Sequence, residues 1–552
     1  MSHYATTRIT RPRLYAWQLA LLAAAFITLT SNWELFGTLT HRLDLSSLAG
    51  AGFMLLIPLL IIFVLTTLFL LLGVGRVLKV IIAASLIVSA VLSYFINELG
   101  VVFDKDMFIN VLDTITEGNT GEAFELLSWP LAWHVLLFGV VPALLLLLLR
   151  IRTTRPLLEF RNRATVIITG FALVTALALS NYRYTSYFAV ENRDLRHQVV
   201  PVTPLIYAVK LARDSFENPA PFVVLGADAM QDKTVNKRTV GIMVVGETAR
   251  ADHFSLLDYT RRTNPRLALE DDLVSLDARA CGTSTAYSVP CMFFLRGQEQ
   301  YDPEDARAES NVLDVLAAAG VETIWIDNNS TCKHVCDRIE SRNLRLRADG
   351  SMQFDGDYDS LLVDVTNQLL DRDGPDLLIV LHMMGSHGPA YSRRYPEKFA
   401  TFEPYCHELS PTECSTSEVT NAYDNSILYT DYILDELIAR LKQHRDDFDS
   451  FLFYASDHGE SLGEDGVYLH GLPYQLAPRA QKEVPMLVWL SGDYAADHHI
   501  DLLDPSINTP QHASHDSISH TLLGLYDVRT NLYAANNDLF AAARSFTLAA
   551  TR

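Results

Sequence analysis

The stretch VGIMVVGETAR, residues 240–250, sets the reading of this chain. An apolar run over 240–245 stops abruptly at Gly246-Glu247-Thr248. The same pattern returns at 321–326, which ends in Asp327-Asn328-Asn329-Ser330, and at 377–381, which leads into HMMGSHG. It returns again at 451–454, ending in ASDHGE, and a further apolar run covers 486–490. Helical patterns fall between these runs at 311–319 and 417–443. Strand-like runs alternating with helices predict an α/β domain, with a mostly parallel central sheet and helices on both faces. Such sheets carry their sites beyond the carboxyl ends of the strands. Glu247, the Asn329/Ser330 pair, His387 and Asp457-His458 therefore converge on one edge. Taken singly, Glu247 reads as a helix cap and Asp457-His458 as a turn. Several polar strand ends on one sheet read as a site.

The chemistry of that edge is legible from residue type. Glu247, Asp457 and His458 offer hard oxygens and an imidazole, a donor set suited to Zn²⁺. ACGTSTAYSVPCMF, residues 280–293, supplies hydroxyls at Thr283, Ser284 and Thr285 ahead of an apolar run. Such a cluster commonly marks a helix N-terminus, where unpaired backbone N–H groups favour anions. A hydroxyl held there becomes a nucleophile toward phosphorus once a metal activates it. Spacing does not choose among the three.

Charge and hydropathy divide the chain. Its 552 residues are enough for two or three domains, and a formal net charge of −21 argues against nucleic acid as a partner. Mean hydropathy is nevertheless positive, because the first two-fifths is apolar and most of the acid follows. Five runs at 14–33, 48–72, 77–96, 129–149 and 164–181 have the length and composition of spanning helices. Arg8, Arg11 and Arg13 precede the first run, and Arg76 and Lys79 lie between the second and third. Five arginines from Arg150 to Arg163 lie between the fourth and fifth, whereas the loop between the third and fourth is acidic. Basic loops stay inside, so the N-terminus is expected in the cytoplasm and everything after the fifth run outside. Residues 1–181 are thus read as a membrane domain, 182–237 as a linker with a membrane-surface helix, and 238–552 as the outer catalytic domain. Residues 101–128 carry apolar side chains at helical spacing and read as an amphipathic helix on the outer surface, with Asn110 and Thr114 on one face.

Six further segments carry a resemblance. Residues 245–250, 281–293, 327–330, 385–389, 456–462 and the YLHGLPY run at 468–474 are similar to the phosphoethanolamine transferases acting on lipid A. These belong to the alkaline phosphatase/sulfatase-like superfamily, and the likeness extends over nearly the whole chain. It implies one tightly bound zinc ion on Glu247, Thr285, Asp457 and His458, with a second ion when substrate is present. Thr285 is implied as the residue that carries phosphoethanolamine. His387 and His470 are implied to bind the phosphate or a second zinc, and by its chemistry either imidazole is a candidate to protonate a leaving oxygen or deprotonate the acceptor. Asn110, Thr114, Asn329, Ser330, Lys333 and Glu460 are implied to bind substrate. The implied donor is phosphatidylethanolamine, the acceptor a lipid A phosphate, and the setting the bacterial inner membrane with the catalytic domain in the periplasm; the alternatives are another acceptor, lipopolysaccharide core or a further periplasmic glycan, and a related headgroup transferase or phosphodiesterase. Lower polymyxin susceptibility and a monomeric state follow from the same likeness. Family members place a glutamate shortly after the equivalents of Asn110 and Thr114. Here TEGNT at 116–120 lengthens the loop, and both Glu117 and Glu122 are candidates.

All six cysteines fall in the outer domain. An even number on the oxidising side predicts disulfides, and local clustering favours Cys281–Cys291, Cys332–Cys336 and Cys406–Cys414. Cys332-Lys333-His334-Val335-Cys336 resembles half a metal knuckle but has no partner pair of matching spacing. His515, in Ser514-His515-Asp516, is given no catalytic role.

Overall fold

The structure, a computed structural model, describes residues 13–103, 107–108, 127–180, 182, 192–214, 221–233, 235–329, 331–345, 358–509 and 513–544. Asn110, Thr114, Glu117, Glu122 and Ser330, with most of the surface helix expected over 101–128, lie outside the described residues. The chain forms two compact units. One comprises Met1–Lys105 and Leu127–Asp214, the other Asp106–Leu126 and Ser215–Arg552. The segment read as a linker is divided between them.

The first unit is helical. Leu48–Leu72, Arg76–Leu99, Trp129–Leu148 and Pro156–Ser180 are each long and apolar enough to cross a membrane. The first expected span is broken: Ala16–Ser31 and Trp33–Arg42 meet at 64°. Asn32 occupies the break. Its side-chain amide donates to the carbonyls of Thr28 (3.2 Å) and Val200 (3.0 Å), and its side-chain oxygen accepts from the Val200 N–H at 2.8 Å. Backbone groups freed where a helix stops need such partners, because lipid offers none. The fourth span widens into a π-turn at Leu136–Val140, just before Pro142, which has no N–H to continue the α pattern. The last of the span-length helices begins at Pro156, earlier than hydropathy indicates, because proline suits a helix's first turn and Glu159 pairs with Arg163 at 2.9 Å.

The second unit is built on a seven-stranded sheet. Its strands are β1 (Thr239–Gly246), β2 (Leu273–Arg279), β3 (Glu322–Asp327), β4 (Glu340–Asn343), β5 (Leu377–His382), β6 (Asp449–Ser456) and β7 (Glu483–Leu490). Their order is β2-β7-β6-β1-β5-β3-β4. Strands β6, β1, β5, β3 and β4 pair in parallel, while β7 runs antiparallel to both β6 and β2. All eight residues of β1 are buried, as expected of a central parallel strand covered on both faces. Met243 and Val245 pack on one face with helices α1 (Thr285–Met292), α2 (Val312–Ala318) and α5 (Asp516–Leu525). Val240, Ile242 and Val244 pack on the other with α3 (Ser360–Leu370) and α4 (Thr416–Gln443). The apolar runs identify β1, β3, β5, β6 and β7. Strands β2 and β4 escape that criterion because their half-exposed sequences, LVSLDAR and ESRN, mix polar and apolar residues.

One close approach in this core makes a direct prediction. Phe451 of β6 lies over Gly241 of β1, and a Cβ there would stand 2.1 Å from its ring. Gly241→Ala should therefore cost about 1–3 kcal/mol of stability through overpacking, read as a lower unfolding temperature with the zinc content unchanged.

Candidate active site

The register aligns the strand ends. Val245 pairs with His382 on one side and Ala455 on the other, and Asp327 pairs with His382. Glu247 and Asp457, each two residues further on, emerge together at the carboxyl edge. The loop after β5 closes over Glu247. Ser386 N–H donates to the Glu247 carbonyl at 3.0 Å, and Gly385 has φ +51° with no room for a Cβ against that backbone. Asp359 braces the same loop by accepting from the N–H groups of Met384 and Gly385 (2.9 Å each) and from the Asn328 amide (2.8 Å).

Thr285 is the first residue of α1, with Ser284 in extended conformation as the residue before the helix. Its Oγ1 lies 3.2 and 3.3 Å from the two Glu247 carboxylate oxygens and 3.3 Å from His458 Nε2. Thr283 Oγ1 is committed elsewhere, donating to the Leu472 carbonyl at 2.6 Å. His458 Nε2 stands 3.3 Å from Asp457 Oδ2 and 3.5 Å from Glu247 Oε1. Glu247, Asp457 and His458 are all buried, with their ligand atoms within 4.8 Å of one another.

Hydrogen bonding shows what this arrangement is for. His458 Nδ1 donates to the Gly459 carbonyl at 2.9 Å, which leaves the Nε2 lone pair facing the carboxylates. Asp457 Oδ1 accepts from Thr248 N–H (3.2 Å) and His458 N–H (2.7 Å). Asp457 Oδ2 is buried with no hydrogen-bond partner among the described residues. Burial raises the Asp457 carboxyl, and burial with the neighbouring His470 holds His458 well below the usual imidazole range. Two buried carboxylates and an imidazole lone pair aimed at one point fit a divalent metal ion, because a buried charge needs a counter-charge. Asn329 donates its amide to Glu247 Oε2 at 2.7 Å and to the Met383 carbonyl at 2.9 Å, so it orients the Glu247 carboxylate.

A second group adjoins the first. The rings of His470 and His458 are 4.3 Å apart, and those of His470 and His387 are 5.6 Å apart. Glu460 is fully buried and holds His470 Nδ1 at 3.0 Å, while Tyr391 donates to its other oxygen at 3.2 Å. The structure thus ties Glu460 to His470 in the manner of an orienting carboxylate. Burial, then His470, Arg394 and Arg345, keep His387 well below the ordinary imidazole range. Lys333 is buried at φ +50° within the Cys332–Cys336 loop. The cysteines pair as Cys281–Cys291, Cys332–Cys336 and Cys406–Cys414.

A strand edge that gathers two carboxylates and an imidazole beside a hydroxyl at a helix N-terminus has the make-up of a phosphotransfer enzyme of the sulfatase fold, and residues 240–528 match the sulfatase family. Residues 61–216 match the family described as phosphoethanolamine transferase EptA/EptB. The phosphoethanolamine transferase EptA of Escherichia coli K12 is 35% identical over 97% of this chain and 98% of its own length. Phosphatidylethanolamine transferase Mcr-1 of E. coli is 35% identical over 92% and 94%. The integral membrane lipooligosaccharide phosphoethanolamine transferase A of Neisseria meningitidis superposes with a TM-score of 0.88 at 31% identity, covering 97% of this chain and all of that one. The chain belongs to the phosphoethanolamine transferase family.

Proposed function

We propose that this enzyme moves phosphoethanolamine from phosphatidylethanolamine to a phosphate of lipid A, through a covalent intermediate on Thr285. The observation that carries the reading is Thr285 Oγ1 within 3.3 Å of both Glu247 and His458 at the sheet edge. In the first half-reaction Thr285 Oγ1 bonds to the donor phosphorus and the bond to the diacylglycerol oxygen breaks. The threonine proton leaves toward the Glu247 carboxylate it faces, and His470, oriented by Glu460, protonates the departing glycerol oxygen. In the second half an acceptor phosphate oxygen attacks the same phosphorus, and the threonine oxygen recovers a proton as it leaves. Zinc held by Glu247, Asp457, His458 and Thr285 would draw charge from the hydroxyl and the phosphoryl oxygens. A second ion beside His387 and His470 would belong to the substrate-bound state. Lys333 serves as a point charge for phosphate, with Asn110, Thr114 and Ser330 as further donor-lipid contacts.

Both substrates are lipids, which explains the spanning helices. A cytoplasmic N-terminus and a periplasmic second unit, in a monomeric inner-membrane protein, are supported by the basic N-terminal flank, with the bent pair Ala16–Ser31 and Trp33–Arg42 counted as one of five crossings. Each transferred group brings an ammonium to the outer membrane, so its negative charge and its susceptibility to cationic polymyxins fall. Mass spectrometry of lipid A and core fractions from cells expressing the protein tests the acceptor. Phosphoethanolamine on lipid A phosphates is the expected result; modification of the core or another periplasmic glycan alone would reassign the acceptor.

A further inference from the structure

We infer that His515 is a positioning residue that sets the distance between the nucleophile-bearing loop and the strand end carrying Asp457 and His458. His515 is 2% exposed and sits just before α5, more than fifty residues from any ligand in sequence. Its Nδ1 accepts from the Cys281 N–H at 3.0 Å, and its Nε2 meets the Ser456 carbonyl at 2.9 Å. A backbone N–H can only donate, so Nδ1 carries the lone pair and Nε2 the proton. One neutral imidazole thus spans two backbone groups, one four residues before Thr285 and the other directly before Asp457. Burial pulls its pKa down to about 4, in keeping with the neutral form that this geometry requires.

The ring is itself held. Arg279 N–H donates to the Ala513 carbonyl at 2.9 Å and His515 N–H to the Arg279 carbonyl at 3.0 Å, so residues 513–515 run along the end of β2. On the loop side, the Ala280 carbonyl accepts from Tyr474 at 2.9 Å and the Cys281 carbonyl from Gln298 at 2.7 Å. Those bonds hold the loop without reaching β6. Two side chains make that link: His515 through the Ser456 carbonyl, and Ser288 of α1 through the Asp457 carbonyl. They grip successive peptide groups on either side of the Asp457 Cα. The spacing they set is the 3.3 Å between Thr285 Oγ1 and His458 Nε2. Phenylalanine would fill the same space but leave one donor and one acceptor buried and unpaired. This role rests on Thr285 being the nucleophile.

The test compares His515→Asn, His515→Gln and His515→Phe in the full-length, zinc-loaded protein in detergent. Asparagine can keep the acceptor toward Cys281, glutamine the donor toward Ser456, and phenylalanine neither. Diacylglycerol release from phosphatidylethanolamine gives kcat and KM, and circular dichroism and zinc content are measured on the same samples. The expected result is a kcat about 10²-fold lower in the Phe variant, because a displacement near 1 Å at a reacting centre costs about that much. KM and zinc content should stay near wild type, and the Asn and Gln variants should fall between. Wild-type kcat in the Phe variant would overturn the assignment. So would Asn and Gln losses as large as that of Phe, or losses that simply follow zinc content or the folded fraction. Turnover surviving in Thr285→Ala would defeat the nucleophile reading and this role with it, while an undiminished kcat in His515→Phe alongside an inactive Thr285→Ala would defeat this assignment alone.

Discussion

Thr285→Ala is expected to abolish transfer while leaving the protein folded, and to do so even in saturating zinc, where the three remaining ligands hold the ion. Among the described residues the hydroxyl contacts Glu247 and His458, both within the site, so the change removes no hydrogen bond outside it. Alanine is well tolerated at the start of a helix interior, and the change in stability should stay within about 1 kcal/mol. Removing a nucleophile costs far more than removing a binding contact, and a loss of at least about 10³-fold in kcat is expected. Two readouts check it. Diacylglycerol release should vanish, and the phosphoethanolamine adduct seen by intact-mass measurement of the wild type should be missing. A variant that still turns over would refute the covalent mechanism.

The second large effect concerns Asp457, and its sign depends on the metal. Asp457→Asn preserves shape and can still accept the N–H groups of Thr248 and His458 through Oδ1. It removes the negative charge at Oδ2, the buried oxygen with no hydrogen-bond partner among the described residues. Metal affinity should fall by at least about 10²-fold and turnover with it, because loss of a ligand exceeds the 10–100-fold typical of losing a ligand's supporting partner. Without metal the order reverses. Burial raises the Asp457 carboxyl to about 6, so at neutral pH it is still mostly ionised and carries that buried charge at a cost in stability. In chelator the Asn variant should therefore melt above the wild type. With zinc at about 10³ times its Kd, the wild type gains about 4 kcal/mol and should melt higher. Melting curves with and without chelator decide it: a wild type indifferent to chelation would remove the metal from this site.

The two halves of the site differ in how much could be read from sequence. The grouping of Glu247, Asp457 and His458 was legible because each follows an uninterrupted apolar strand, and parallel strands deliver their ends to one edge. Glu460 shows the limit. It sits in the same motif as Asp457-His458, but only the fold brings the His470 imidazole to its carboxylate, across a short hairpin. The bond from Asn329 to Glu247 likewise joins residues far apart in the chain and has no signal in the sequence. His515 had no sequence signal at all, since its partners are backbone groups at positions 281 and 456.

Periodicity and composition by themselves determined the apolar spans, the alternating α/β pattern, the strand-end ligands and the local cysteine pairs. These are properties of neighbouring residues, and hydrophobic burial with chain continuity reads them directly. Only the tertiary structure decided which of three adjacent hydroxyls faces the ligands. It turns Thr283 to the Leu472 carbonyl and Thr285 to Glu247. That choice depends on where α1 starts relative to β1 and β6, and so on bonds between segments far apart in the chain. Hydrogen bonds are directional and short-ranged, and their partners exist only once the sheet has brought those segments together.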